Sequence, residues 1–211
     1  MKRQAFALIE LLVVIAIIAT LAVVVAFNWP VLRSQTQRTA ALNNMRNIGA
    51  ALRLYSVDHL DTFPRRITNG DKWPKLLSEY MDGTQAYAAV GDTNNYIFQK
   101  TDPLSNARNN TSYIMNGFND VGAYTNQEVT VRMLQIESPS ETILLGTPKS
   151  GSTHFYMDML EGESGNHIDV LNLELYNDGS AYAFADGSAR YIRKRDYDHR
   201  MWLVNKDFLI P

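Results

Sequence analysis

The sequence predicts an α+β chain: one long N-terminal α-helix, membrane-spanning in its first half and amphipathic in its second, packed on a small antiparallel β-rich head. Three observations carry this expectation. From Leu11 to Phe27 every residue is apolar except Thr20, a run long enough to cross a bilayer. Beyond it, Leu42, Met45, Ile48 or Gly49, Leu52 and Tyr55 recur every three or four residues, which marks one apolar helix face. Towards the C-terminus, short stretches of alternating apolar and polar residues are punctuated by Asn177-Asp178-Gly179 and Asp186-Gly187, the turn chemistry of antiparallel hairpins.

The first element follows two basic residues, Lys2 and Arg3, and holds one carboxylate, Glu10, the only charge between Arg3 and Arg33. Phe6 to Phe27 is 22 residues, roughly 33 Å of helix at about 1.5 Å per residue, enough for a hydrocarbon core. A charge within or at the edge of a bilayer costs about 2.5–3.5 kcal/mol on insertion scales, so a carboxylate there calls for a role. A secretory signal is the competing reading, because Val24 and Ala26 are small enough to precede a conventional cleavage site. Such signals, however, have apolar cores of about 7–15 residues, shorter than this run. Basic residues flank both ends, Lys2 and Arg3 on one side and Arg33 and Arg38 on the other, so charge bias does not orient the helix.

The stretch Phe6 to Ile18, FALIELLVVIAII, behind a short basic leader and a small residue, resembles the N-terminal class III signal of type IV pilins and type II secretion pseudopilins. That resemblance implies cleavage by prepilin peptidase between Ala5 and Phe6 and N-methylation of Phe6. It implies a single-pass anchor in the bacterial inner membrane, leader in the cytoplasm and head in the periplasm. In a filament of such subunits the Glu10 carboxylate meets the Phe6 amine of a neighbour. Pairing relieves the cost of an unpaired buried charge and so favours one register between subunits. The implied partners are the peptidase, other pilin or pseudopilin subunits and an inner-membrane assembly platform. One position departs from the pattern: Ala5 stands where the family usually has Gly. The expected organisation is a leader at 1–5, a transmembrane and filament-core helix at 6–27, an amphipathic helix at 28–60 and a pilin-like head at 61–211.

The helix is expected to run from Phe6 to about Asp58, roughly 80 Å at the α-helical rise. Trp29 suits a membrane–water interface, and Pro30 removes a backbone donor and loosens the helix locally. Arg33, Arg38, Arg46 and Arg53 lie mostly off the apolar face and read as a solvated stripe, or as contacts for acidic neighbours in a filament. Pro64 disfavours helix at Phe63, placing the end around His59 to Pro64. Asp58, His59 and Asp61 lie close in sequence, and they read as polar groups at a helix terminus rather than as metal ligands.

In the head, Trp73-Pro74 through Tyr80 reads as a short amphipathic helix with Pro in its first turn. Residues 81–128 are rich in Asn, Asp, Gly, Thr and Ser and read as loops with brief strands at Tyr96–Phe98 and Ser112–Met115. Ser138-Pro139 is a turn before a buried strand near Leu145. Val170 to Tyr176 alternates and reads as a strand, with Ser180–Phe184 as its hairpin partner and Ala189–Arg193 as a further strand. The segment from Ser180 to Tyr191, SAYAFADGSARY, is similar to the C-terminal motif of many pseudopilin-like proteins. Many of those carry His ten residues before the Asp-Gly; here that residue is Tyr176.

Composition narrows the function. The chain carries 20 basic and 22 acidic residues, without the basic excess that a nucleic-acid surface needs. It has no cysteine, so neither a disulfide nor a thiolate metal site is available to the head. His59, His154, His167 and His199 show no zinc-ligand spacing, and no nucleophile elbow, phosphate loop or dinucleotide fingerprint occurs. Asp158, Glu161 and Glu163 read as exposed loop charge. The sequence therefore gives no catalytic residues, and the expectation is a structural subunit rather than an enzyme. For calcium, a hard cation served by carboxylates and carbonyls, the candidates are Asp178, Ser180 and Asp186, with Asp169 nearby. Major secretion pseudopilins use a C-terminal calcium loop, which the resemblance brings to mind here; the alternative is that these residues only make turns.

Overall fold

The structure, a computed structural model, describes residues 8–66, 71–81, 89, 111–121, 131–150, 152, 154–157 and 170–207. The chain forms two compact units, Met1–Thr36 and Gln37–Pro211. Helix α1 runs without interruption over Leu8–Asp58, as the apolar run and the following three-to-four periodicity predict. Pro30 lies inside it, where its ring removes the amide that would otherwise donate to the Ala26 carbonyl.

The second unit joins the last part of α1 to a five-stranded sheet. Its strands are β1 (Ile114–Asn116), β2 (Ile143–Gly146), β3 (Tyr156–Met157), β4 (Gly179–Phe184) and β5 (Ala189–Arg193), in spatial order β3-β1-β2-β4-β5. Pairing is antiparallel except for β1 with β3, which run parallel. The antiparallel β-rich head is therefore present, with one parallel pair at its edge. The Asp186-Gly187 turn closes the β4–β5 hairpin, and Gly187 takes φ +84°, a left-handed conformation that favours glycine.

The alternation in Ser180-Ala-Tyr-Ala-Phe184 explains how the sheet holds two cores. Ala181 and Ala183 join Ala189 and the α1 residues Ala41, Met45, Ile48 and Leu52 in one cluster, while Tyr182 and Phe184 pack with Ile143, Leu171 and Trp202 in another. Because strand side chains alternate between faces, small residues meet the helix and large ones fill the opposite side. Gly49 faces the β4–β5 hairpin across this contact. A Cβ added there would lie 3.7 Å from the Gly187 carbonyl oxygen and 4.0 Å from the Ala183 Cβ. In β2, a register shift lies between Ile143 and Leu145; these residues belong to opposite cores, although simple alternation would put them on one face.

Two of the four α1 arginines turn out to clamp this hairpin rather than only face solvent. The Arg38 guanidinium lies 3.7 Å from the centroid of the Tyr191 ring, a cation–π contact. Arg53 donates from Nη1 to the Asp186 carbonyl at 2.8 Å. At the end of α1, Leu60 and Asp61 take positive φ of 55° and 66°, and the chain turns to bridge Thr62 with Arg132. His59 stacks on Tyr55 at 3.8 Å, and Tyr80 donates to Asp58 at 3.1 Å. The terminal polar residues thus cap and turn the chain, as expected.

Three local expectations need correction. The helix at Trp73 is a single turn, α2 (Trp73–Leu76); Ser78 Oγ donates to the Lys75 carbonyl at 2.7 Å, an alternative to further helix. The strand expected at Ser112–Met115 begins only at Ile114. Val170–Tyr176 is not a strand paired with β4: only Leu171 makes an antiparallel bridge, to Pro148, and residues 173–176 are turns. There Asn172 Oδ1 accepts from the Glu174 amide at 3.2 Å, and Ser180 Oγ accepts from the Leu175 amide at 3.2 Å. Side-chain bonds to nearby backbone replace the ladder, while Leu173 and Tyr176 still bury. The brief strand expected at Tyr96–Phe98 lies outside the described residues.

The cysteine-free head fixes its C-terminal region by packing and hydrogen bonds. Trp202, Leu203 and Val204 are buried. Asn116 Nδ2 donates to the Trp202 carbonyl at 2.7 Å and the Ile143 carbonyl at 2.8 Å, and its Oδ1 accepts from Phe118. The Asn205 amide donates to Asp120 at 2.6 Å. Burial pushes the Asp120 carboxyl up, opposed by amide bonds from Asn205 and Val204.

Candidate functional site

The candidate site is the N-terminal part of α1 itself. From Leu8 to Leu32 every residue is exposed, including Leu11, Ile15, Ile18, Leu21, Val25 and Phe27, each more than half accessible. A helix that is apolar all round is either buried in a protein core or in a membrane, and this one has no protein packed around it among the described residues. Exposed apolar surface on this scale marks a partner or lipid interface. It is also the one helix among the described residues long and apolar enough to cross a membrane.

Its few polar groups are arranged for a dry environment. Between Glu10 and Trp29 the only hydrogen-bonding side chains are Thr20 and Asn28. Thr20 Oγ1 donates to the Ile17 carbonyl at 2.8 Å, and Asn28 Nδ2 donates to the Val24 carbonyl at 2.8 Å. Each folds back on the helix, which satisfies its donor without water. Glu10 stands in the first described turn of α1. Ala5 and Phe6, the expected processing pair, lie outside the described residues.

The calcium candidates do not converge. Asp178 precedes β4 and Asp186 follows it, so a six-residue strand lies between them; at about 3.3 Å per residue the two carboxylates stand roughly 20 Å apart. Asp178 accepts from the Tyr191 hydroxyl at 2.5 Å and approaches Arg193 at 3.4 Å; the Tyr191 bond holds its carboxyl below the usual range. Ser180 is buried, donating to the Asn172 carbonyl at 2.5 Å. Asp186 Oδ1 accepts from the Ser188 amide at 2.9 Å. All three serve the hairpin ends, and no group of three His, Asp or Glu side chains gathers among the described residues. Asp169 lies outside them.

Sequence reasoning missed the roles of Arg38 and Arg53, because nothing in a helical pattern says which charged residue faces a strand distant in sequence. Their spacing offered a signal only in part: both lie near the apolar face rather than opposite it.

Residues 1–26 match the family model described as the prokaryotic N-terminal methylation motif. No curated protein and no solved structure matches the chain. A motif of this kind is processed by prepilin peptidase, and subunits that carry it anchor and assemble through the apolar helix behind it. The head and its α+β architecture are consistent with that reading. The chain carries a prepilin-type N-terminal signal of the type IV pilin and pseudopilin kind, ahead of a pilin-like fold.

Proposed function

We propose that the protein is a pseudopilin: a bitopic inner-membrane precursor, cut between Ala5 and Phe6, N-methylated on Phe6 and assembled into a periplasmic pseudopilus of a type II secretion system. The observation that carries this reading is the fully exposed apolar helix with a single carboxylate, Glu10, at its entrance. In assembly these helices form the filament core, Glu10 meets the Phe6 amine of a neighbour and sets register, and the head forms the outer surface. The β-rich C-terminal head without cysteine supports the secretion subclass over a type IV pilus subunit, since many pilins close their C-terminal loop with a disulfide.

N-terminal sequencing and mass spectrometry of the mature protein test it. N-methylated Phe6 is the expected terminus. A mature chain beginning at Phe27 points to a secretory signal, and an uncut Met1 to a membrane-anchored binding module that does not polymerise; either refutes the proposal. Gene disruption then separates the subclasses, because loss of protein export is expected and loss of surface pili is not.

A further inference from the structure

The C-terminal end of α1 carries an apolar surface that the fold of this chain does not use. Leu54 and Val57 stand three residues apart on the face turned away from the packed residues Leu52, Tyr55 and Ser56, and they are 56% and 78% exposed. Leu60 and Leu134 are 86% and 89% exposed. Single exposed leucines are ordinary, but a group of them marks an interface. Asp61 holds the last two close together. Its carbonyl accepts from the Met133 amide at 2.8 Å, and its Oδ2 accepts from the Leu134 amide at 3.2 Å. The short 3-10 turn Met133–Gln135 is thereby fastened to the residue that follows Leu60.

Leu60 is disfavoured twice in a lone subunit. The Asp61 amide donates to the Ser56 carbonyl at 2.8 Å, the six-to-one bond of a Schellman helix end. This closure leaves Leu60 in the left-handed region at φ 55°, where glycine is the usual residue. A leucine there strains the backbone and buries almost nothing. Strain kept at an exposed apolar residue points to a contact that the isolated head does not make. Asp58 and Asp61 beside it already accept from the Tyr80 hydroxyl and the Leu134 amide, so recognition here rests on apolar burial.

Apart from Val121, the exposed large apolar residues among the described ones fall into two groups, this patch and the stretch Leu8–Leu32. That stretch is the part of α1 through which subunits with this signal assemble. The patch begins on the same helix, Leu8–Asp58, and so continues the assembly element. Lipid is a poor occupant, because Arg33, Arg38, Arg46 and Arg53 stand between the apolar run and the patch in the chain, and charges are costly in a bilayer. Resting on the filament-subunit reading above, we propose that Leu54, Val57, Leu60 and Leu134 form the head's receiving surface for the apolar α1 of a second copy. Two different surfaces make a heterologous contact, which extends into an open helical array.

Two substitutions in the full chain separate this role from a structural one. Leu60→Gly relieves the left-handed leucine and removes little burial, so Tm in detergent micelles should rise by about 2 °C, while the yield of sedimentable filament falls roughly tenfold. Leu134→Arg should leave Tm unchanged and lower the yield likewise. Benzoylphenylalanine incorporated at residue 134 then identifies the occupant in filaments assembled from isotopically light and heavy chains. Capture of a Leu8–Leu32 peptide of the opposite label is expected. Normal filament yields from both variants, a Tm that falls together with the yield, or capture of lipid or of head residues instead of that helix overturns this inference and leaves the pseudopilin reading standing. Failure of wild-type chains to sediment as filaments overturns both.

Discussion

Gly49 on α1 gives the sharpest test of how the helix seats on the sheet. The perturbation is a pair of substitutions, Gly49→Ala and Gly49→Leu. A Cβ at this position meets the Gly187 carbonyl oxygen at 3.7 Å, the Gly187 Cα at 3.8 Å and the Ala183 Cβ at 4.0 Å, all ordinary van der Waals distances. Alanine therefore fits without movement. It gains about 0.8–1 kcal/mol of helix propensity over glycine and buries one more methyl, so the expected stabilisation is about 1–1.5 kcal/mol. Leucine adds three further carbons against a wall that is partly backbone, the turn at Gly187, which is itself held by Arg53. Overpacking of this sort costs about 1–3 kcal/mol, enough to outweigh the propensity gain and reverse the sign. Denaturant unfolding of the full chain in detergent micelles, followed by tryptophan fluorescence, reads the head: Trp73 and Trp202 are buried, whereas Trp29 is already exposed. For a unit of this size 1 kcal/mol corresponds to roughly 2–4 °C in Tm. Destabilisation by alanine, or equal stabilisation by leucine, refutes the close approach of α1 to the Asp186-Gly187 turn.

Three further predictions follow from other parts of the molecule. Glu10→Ala should leave membrane insertion intact, since it removes a charge that costs about 2.5–3.5 kcal/mol on insertion scales, yet abolish assembly; wild-type yields of sedimentable filament would contradict the role given to Glu10. Asn116→Leu leaves two carbonyls and one amide in a buried site without partners, at about 1–3 kcal/mol each, so a loss of 3 kcal/mol or more is expected, with earlier proteolysis near the C-terminus. A loss below 1 kcal/mol would show that this residue is not what ties the C-terminal segment down. Tyr113 and Tyr191 are each pushed up to about 12, first by burial. A raised folded-state value means the native form holds its proton longer than the unfolded chain. Their contribution is therefore present below the unfolded value near 10, falls as pH rises through about 12 and is then gone. Tyrosinate absorbance that rises fully by pH 10 in the folded protein would rule this out.

Much of the fold was legible before any coordinates. The apolar run and the recurrence of Met45, Ile48, Leu52 and Tyr55 are local patterns, and a helix is a local structure, so α1 appears where the pattern puts it. The β4–β5 hairpin was equally readable, because its tight connection needs a residue in the left-handed region and Gly187 supplies it. Val170–Tyr176 shows where this reasoning fails. Its alternation buries Leu171 and Leu173 as a strand would, but Tyr176 is buried out of that phase, and Asn172 and Ser180 capture the backbone groups that a ladder needs. Alternating hydrophobicity reports which side chains are buried, not which hydrogen bonds the backbone makes. The calcium candidates illustrate a related limit: Asp178 and Asp186, eight apart in sequence, look close until an extended strand sets them at opposite ends.

The N-terminal signal needed no tertiary structure. A basic leader, Phe6, Glu10 and an unbroken apolar helix are covalent and local facts, and membrane and peptidase read them in that form. What the tertiary structure alone decided is the head: which arginines clamp the hairpin, how Trp202 and Asn116 hold the C-terminal segment without a disulfide, and in what order the strands pair. These depend on contacts between segments far apart in the chain, whose pairing is set by the complementary packing of Gly49 with Ala183 and of Trp202 with Tyr182, not by any pattern within one segment.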